Sequence, residues 1–272
     1  EIEMPSHSGS AGAAYPELYN GGSALDPANP QTYAFIRAVF SEVARLFPEP
    51  YIHFGGDEVD DDVWKNVKDV QELKADKGLK TTKEVEAYFV RNIVDIIKSV
   101  GKRPMAWDEQ AEDRASRDLT IEWWRTSRPD VLRQALERGS KLVMSPVDRL
   151  YFDYHQGPGE PGAPWEGNEG GPTSIEKILS WEPVPSSFTP DEAARVLGIE
   201  ASVWTEFIVT KRYLEFMTFP RLLALAEVAW RPKGPRDEKE FEERLGPHIE
   251  ALRAKGINAR RDEGDAYEFI TN

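Results

Sequence analysis

Short β-type runs alternate with longer helical stretches along this 272-residue chain, and that alternation leaves few folds open. Strand patterns at 1–4, 51–54, 103–107, 119–124, 141–145 and 198–204 are separated by helical patterns at 31–47, 82–100, 129–138 and 190–196. Two further helical patterns, 220–230 and 237–255, follow the last strand. Strands that point the same way need a crossover of a dozen or more residues, usually a helix, so the order predicts βαβ units and a parallel α/β sheet. Local signals agree. Thr81, Thr82 and Glu84 make a capping-box start, and Gly101 stands where a helix end needs a left-handed residue. The stretch 156–173, dense in Gly and Pro, reads as one long loop.

Composition removes several classes. Lys plus Arg number 34 against 48 Asp plus Glu, a formal charge of −14, which argues against a nucleic-acid backbone as partner. No run of about 18 apolar residues is present, so no membrane-spanning helix is expected. With 40% hydrophobic residues, 12 Phe and 8 Trp, a sizeable core is available. Without Cys there is no disulfide framework, thiolate zinc site or thiol nucleophile. The four His are scattered, and the 57–62 acidic run lacks the spacing of a calcium loop, so no metal and no cofactor is expected.

Almost every strand pattern ends in Trp, Tyr, Asp or Glu: His53 to Glu58, Trp107 to Glu109, Trp123 and Trp124, Tyr151 to Asp153, Trp204 to Glu206. In a parallel barrel those ends converge on one face, where the chemistry sits. A single Trp there is most simply core packing. The same pattern at five strand ends is how a site grips a sugar, with indoles against C–H faces and carboxylates on hydroxyls.

The sharpest segment runs from Tyr51 to Val59, where an apolar strand meets Gly55 and Gly56 and then Asp57 and Glu58. A Gly pair permits a tight turn and close ligand approach. Asp60, Asp61 and Asp62 continue the run, so a merely solvated acidic loop is the plain alternative. Glycosidases flank the scissile bond with two carboxyl groups about 5–9.5 Å apart, and adjacent residues cannot reach both sides of a sugar ring. Asp57 and Glu58 therefore fit a scheme in which one protonates the leaving oxygen and the other positions the substrate. Substrate-assisted glycosidases work this way.

His53, Gly55, Gly56, Asp57 and Glu58 together resemble the signature of glycoside hydrolase family 20, the β-N-acetylhexosaminidases. The opening from Glu1 through His7, with Tyr15 and Pro16, resembles the family's third barrel strand end. Met105 to Glu109 is similar to the fifth, Thr120 to Trp124 to the sixth, and Tyr151 to Asp153 to the seventh. Ser202 to Glu206, with Phe219 to Trp230, is similar to the eighth strand and its helix. The resemblance implies a (β/α)8 barrel, incomplete here at about strands 3 to 8. Residues 1–256 would be the C-terminal two-thirds or more of a catalytic domain, and 257–272 a tail.

It further implies an exo-acting hydrolase of terminal β-linked GlcNAc or GalNAc, in which the substrate's own 2-acetamido oxygen attacks the anomeric carbon. Glu58 would be the acid and then the base, Asp57 would orient the acetamido group, and Tyr151 would donate to its oxygen. Trp107, Trp124 and Trp204 would wall the pocket, with either Trp123 or Trp124 facing it, and Trp165 would lie near the aglycone. Asp153 and Glu206 would accept from sugar hydroxyls. His7 and Glu3 match a supporting pair behind the acid, although Glu3 stands for the family's usual Asp and Ser6 for its Gly.

Two barrel strands of the family, with an Arg and an Asp that hold the terminal sugar, have no counterpart here. The expectation is a missing N-terminal barrel segment, in the same polypeptide or a companion chain, with a homodimer a further option. Secreted, periplasmic or lysosome-like placement suits external glycans better than cytoplasm. The competing reading is a catalytically impaired carbohydrate-binding domain. A retaining glycosidase with its own nucleophile is a third.

Overall fold

A computed structural model describes residues 24–112, 118–164, 171–234 and 236–261. Described residues up to Ile121, together with Val131–Ser140, form one compact unit; Glu122–Asp130 with those from Lys141 onward form a second.

The first unit opens with helix α1 (Pro30–Leu46), started by the Asn29 side chain accepting from Gln31 N–H and by proline at its first turn. Strand β1 (Tyr51–His53) follows, then a 3-10 turn (Asp61–Trp64), α2 (Lys68–Lys77), α3 (Thr82–Ser99) and β2 (Arg103–Trp107). Apolar residues recur at three- and four-residue spacing along α3, so Val90, Ile93, Val94 and Ile97 turn inward. Ile93, Ile96 and Ile97 pack with Ile36 of α1 and Ile52 of β1. The Thr81–Glu84 capping box is formed, and Gly101 takes φ +78° just past the end of α3. β1 and β2 are parallel, with His53 opposite Met105. Their C-terminal ends therefore lie together.

Strand β3 (Thr120–Trp123) and helix α4 (Pro129–Glu137) straddle the division. The second unit holds β4 (Lys141–Met144), the short helices α5 (Val147–Leu150), α6 (Ile175–Leu179) and α7 (Pro190–Ala193), and β5 (Val196–Ile199). Helices α8 (Lys211–Thr218), α9 (Arg221–Trp230) and α10 (Glu238–Ala254) complete it. β4 and β5 are parallel, and a parallel bridge joins Tyr151 to Ser202 beyond them. Its core sets Leu150 and Phe152 against Ala224 and Val228 of α9 and Phe241, Leu245 and Ile249 of α10. Ala259 is buried in the same cluster, and Arg260 pairs with Glu160 at 2.6 Å.

Four strand patterns and the principal helices lie where the alternation placed them; the pattern at 1–4 falls outside the described residues. The last strand is displaced. It was expected at 198–204, yet the ladder covers Val196–Ile199 and residues beyond keep contact through the Ser202 bridge. Helix α2 carries little apolar periodicity and buries only Val70, so tertiary contacts rather than propensity hold it. Helix α8 does carry an apolar face, Tyr213, Phe216 and Met217, but over only eight residues.

Candidate active site

In the first unit the site begins where β1 stops. Gly55 and Gly56 take φ of +82° and +92°, a turn that side chains resist, and Glu58 follows at +47°, in the left-handed region. Three hydrogen bonds hold the Gly pair. Gly55 N–H donates to His53 Nδ1 (3.1 Å), Trp107 N–H donates to the Gly55 carbonyl (3.1 Å), and Gln110 Nε2 donates to the Gly56 carbonyl (2.7 Å). Burial lowers His53 to about 4, so its ring stays neutral and Nδ1 remains an acceptor. Trp107, buried, meets the His53 ring edge-on at 5.0 Å.

The acidic run divides by role. Asp60 caps the 3-10 turn by accepting from Asp62 N–H, Asp62 pairs with Lys65, and Asp61 lies 3.9 Å from Lys83. Those three are ordinary surface and capping charges. Asp57 is half-buried and Glu58 exposed, at the end of the turn.

In the second unit the C-terminal ends of β3, β4 and β5 gather aromatics. Tyr151 stacks on Trp124 (6.0 Å, 17°) and meets Trp204 at 6.1 Å and Tyr154 at 6.0 Å. Successive strand residues point to opposite faces, and it is Trp124, not Trp123, that joins this cluster. Burial raises the Tyr151 phenol far above its ordinary value, against a hydrogen bond from the Trp204 side chain, so it keeps its proton and can donate. Trp204 is 38% exposed, so part of its ring is open to an apolar surface.

Asp153 is buried, and neither carboxylate oxygen makes a well-formed hydrogen bond. Burial pushes its carboxyl up to about 6, while backbone N–H groups and Arg221 pull the other way. Beneath it, Arg221 is wholly buried and donates to the carbonyls of Phe152, Tyr154 (2.8 Å), Thr173 (3.3 Å) and Met217, with its guanidinium 4.7 Å over the Phe152 ring. It thereby grips the residues on both sides of Asp153. Glu122 of β3 is also buried; desolvation, then the charge of Glu200, push it up to about 8. Glu206 is exposed.

Among the described residues, Trp107 ends β2 and Asp57 and Glu58 lie in the turn after β1 in the first unit; in the second, Trp124 follows β3, Tyr151 and Asp153 follow α5, and Trp204 and Glu206 lie beyond β5. Glu3, His7 and Trp165 lie outside the described residues. Sequence reasoning passed over Gln110, Glu122 and the work of Arg221. Arg221 did leave a signal, a charged residue at the head of a helix whose next five residues are all apolar. Among the described residues no group of three His, Asp or Glu is arranged to hold a metal ion.

A protonated phenol, a desolvated carboxylate and open indole surface suit a polyhydroxylated ring with an amide, and a carboxyl on a tightly held turn suits proton transfer. Known proteins carry the same arrangement of sequence. A beta-hexosaminidase of Porphyromonas gingivalis is 33% identical over 95% of this chain and 34% of its own length. One from Vibrio furnissii is 34% identical over 83% of this chain and 39% of its own. The chain thus spans between a third and two-fifths of these relatives. The crystal structure of a GH20 exo beta-N-acetylglucosaminidase from Vibrio harveyi, in complex with N-acetylglucosamine, matches with a TM-score of 0.80 at 34% identity, covering 88% of this chain and 37% of that one. The parallel strands and intervening helices are accordingly those of a (β/α)8-type fold. The model of the glycosyl hydrolase family 20 catalytic domain matches residues 1–233, and the chain belongs to that family.

Proposed function

We propose that the polypeptide carrying this chain is an exo-acting β-N-acetylhexosaminidase that removes terminal β-linked GlcNAc or GalNAc from oligosaccharides or glycoconjugates. Residues 1–256 form the C-terminal two-thirds or more of its catalytic domain, 257–272 a tail, and a preceding barrel segment completes the sugar's grip. Glu58 protonates the glycosidic oxygen as that bond breaks, while the acetamido oxygen bonds to the anomeric carbon and gives an oxazolinium. Asp57 steadies the acetamido N–H and its developing positive charge. Tyr151 donates to the acetamido oxygen. Glu58, now a base, takes a proton from water as it attacks the same carbon and displaces the acetamido oxygen, which restores the acetamide and retains the configuration. Trp107, Trp124 and Trp204 enclose the sugar, Trp165 lies near the aglycone, and Asp153 and Glu206 accept from the sugar's hydroxyls. Glu3 and His7 support the acid.

The observation that carries this reading is the turn at Gly55 and Gly56. Three hydrogen bonds hold it, and it delivers two adjacent carboxyl groups, whereas Asp60, Asp61 and Asp62 beyond them serve in a cap and ion pairs. The test compares a chromogenic N-acetyl-β-glucosaminide with the plain β-glucoside. The first should be hydrolysed and the second barely; equal rates overturn acetamido participation. Glu58→Gln and Asp57→Asn should each lower kcat by about 10²-fold or more, the range of a lost general acid.

A further inference from the structure

We infer that Gln110, held in turn by Glu86, is a positioning residue for the Asp57–Glu58 turn. The inference rests on the role proposed above for Glu58. Gln110 lies in the 3-10 turn after β2 and is 2% exposed. Its Nε2 donates to the Gly56 carbonyl (2.7 Å) and to Glu86 Oε1 (3.0 Å). A carbonyl and a carboxylate are acceptors only, so the amide group fits between them with one hydrogen for each. No carboxylate can replace it.

Glu86 is buried on α3 and takes Lys83 Nζ at 2.8 Å, and Lys83 also lies 3.9 Å from Asp61. Helix α3 therefore reaches both flanks of the turn, Gly56 through Gln110 and Asp61 through Lys83. The fit is close. A Cβ built on Gly56 would stand 2.9 Å from Gln110 Cγ, nearer than carbon atoms approach, so with Gln110 in this place only glycine fits at 56. Gly56 immediately precedes Asp57, and any rotation of its peptide swings both carboxyl groups. Catalytic geometry is sensitive at that scale.

The test uses the natural polypeptide that carries this chain and the N-acetyl-β-glucosaminide. Gln110→Leu should lower kcat about 10- to 100-fold, as a misplacement of about 1 Å does, with KM changed less than about threefold. Gln110→Asn keeps the amide but is too short to reach both acceptors, and should fall between. The exchange Glu86→Gln with Gln110→Glu separates positioning from packing. It keeps volume and a hydrogen bond between 86 and 110 but turns an acceptor toward the Gly56 carbonyl. Wild-type melting temperature with kcat still depressed supports the inference. Wild-type kcat in the exchange variant, or in Gln110→Leu, overturns it. A wild-type enzyme inactive on the acetamido substrate overturns the proposed function, and this inference with it.

Discussion

Glu58 adopts a φ of +47°, a conformation that costs a non-glycine residue about 1–2 kcal/mol and survives only where neighbours impose it. The neighbours are visible: His53, Trp107 and Gln110 hold the two glycines before it. His53 thereby has a defined role as an acceptor behind the turn. Two buried carboxyl groups make pH predictions. Asp153 is raised from 3.8 to about 6 mainly by burial, and in its proposed role it must be ionised to accept hydrogen bonds from sugar hydroxyls, so KM should climb as pH falls below about 6 while Asp153→Asn flattens that limb. Steady-state kinetics between pH 4.5 and 7.5 check it. Glu122 is raised from 4.5 to about 8, so between those values the unfolded chain releases a proton that the folded one keeps. Stability then falls as pH rises through that window. Glu122→Gln should be near-neutral at pH 5 and stabilising at pH 9 by about 1–3 kcal/mol, because a buried carboxyl whose pKa is raised costs stability at pH above its ordinary value, as read by denaturant unfolding.

At the scale of elements, helix α9 does two things. Its apolar face, through Ala224 and Val228, packs on α10, while Arg221 at its head ties down the segment that carries Tyr151 and Asp153. Arg221→Met leaves several buried carbonyls without a donor. It should destabilise by about 2–4 kcal/mol and raise KM, with melting curves and kinetics as the readouts. Arg221→Lys should recover little of either, because an ammonium cannot reproduce the planar fork. Helix α3 shows how much of an element is local: the Thr81–Glu84 capping box and Gly101 at its end were both readable as residues. What α3 does for the turn was not, because Glu86 and Gln110 are separated in sequence by the whole of β2.

For the whole molecule, the family places the chain in a (β/α)8-type fold, and the chain spans 34% of one beta-hexosaminidase and 39% of another. The proposed preceding barrel segment is expected to bring further groups that hold the terminal sugar. A polypeptide including that segment should exceed residues 1–272 alone by about 10²-fold or more in kcat/KM, since positioning contributes at that level. Parallel assays of the two proteins check this.

The alternation of strand and helix, the capping signals, and a Gly pair followed by two carboxylates are local patterns, and the sequence by itself determined them. Period and turn chemistry depend on neighbours within a few residues, so they survive as text. The displaced last strand, the choice of Trp124 over Trp123, the raised carboxyl groups of Asp153 and Glu122 and the grip of Gln110 and Arg221 belong to tertiary structure alone. Each depends on desolvation or on a contact with a residue distant in the chain, such as Tyr151 beside Trp124 or Met105 beside His53. Burial and register exist only once the chain has folded.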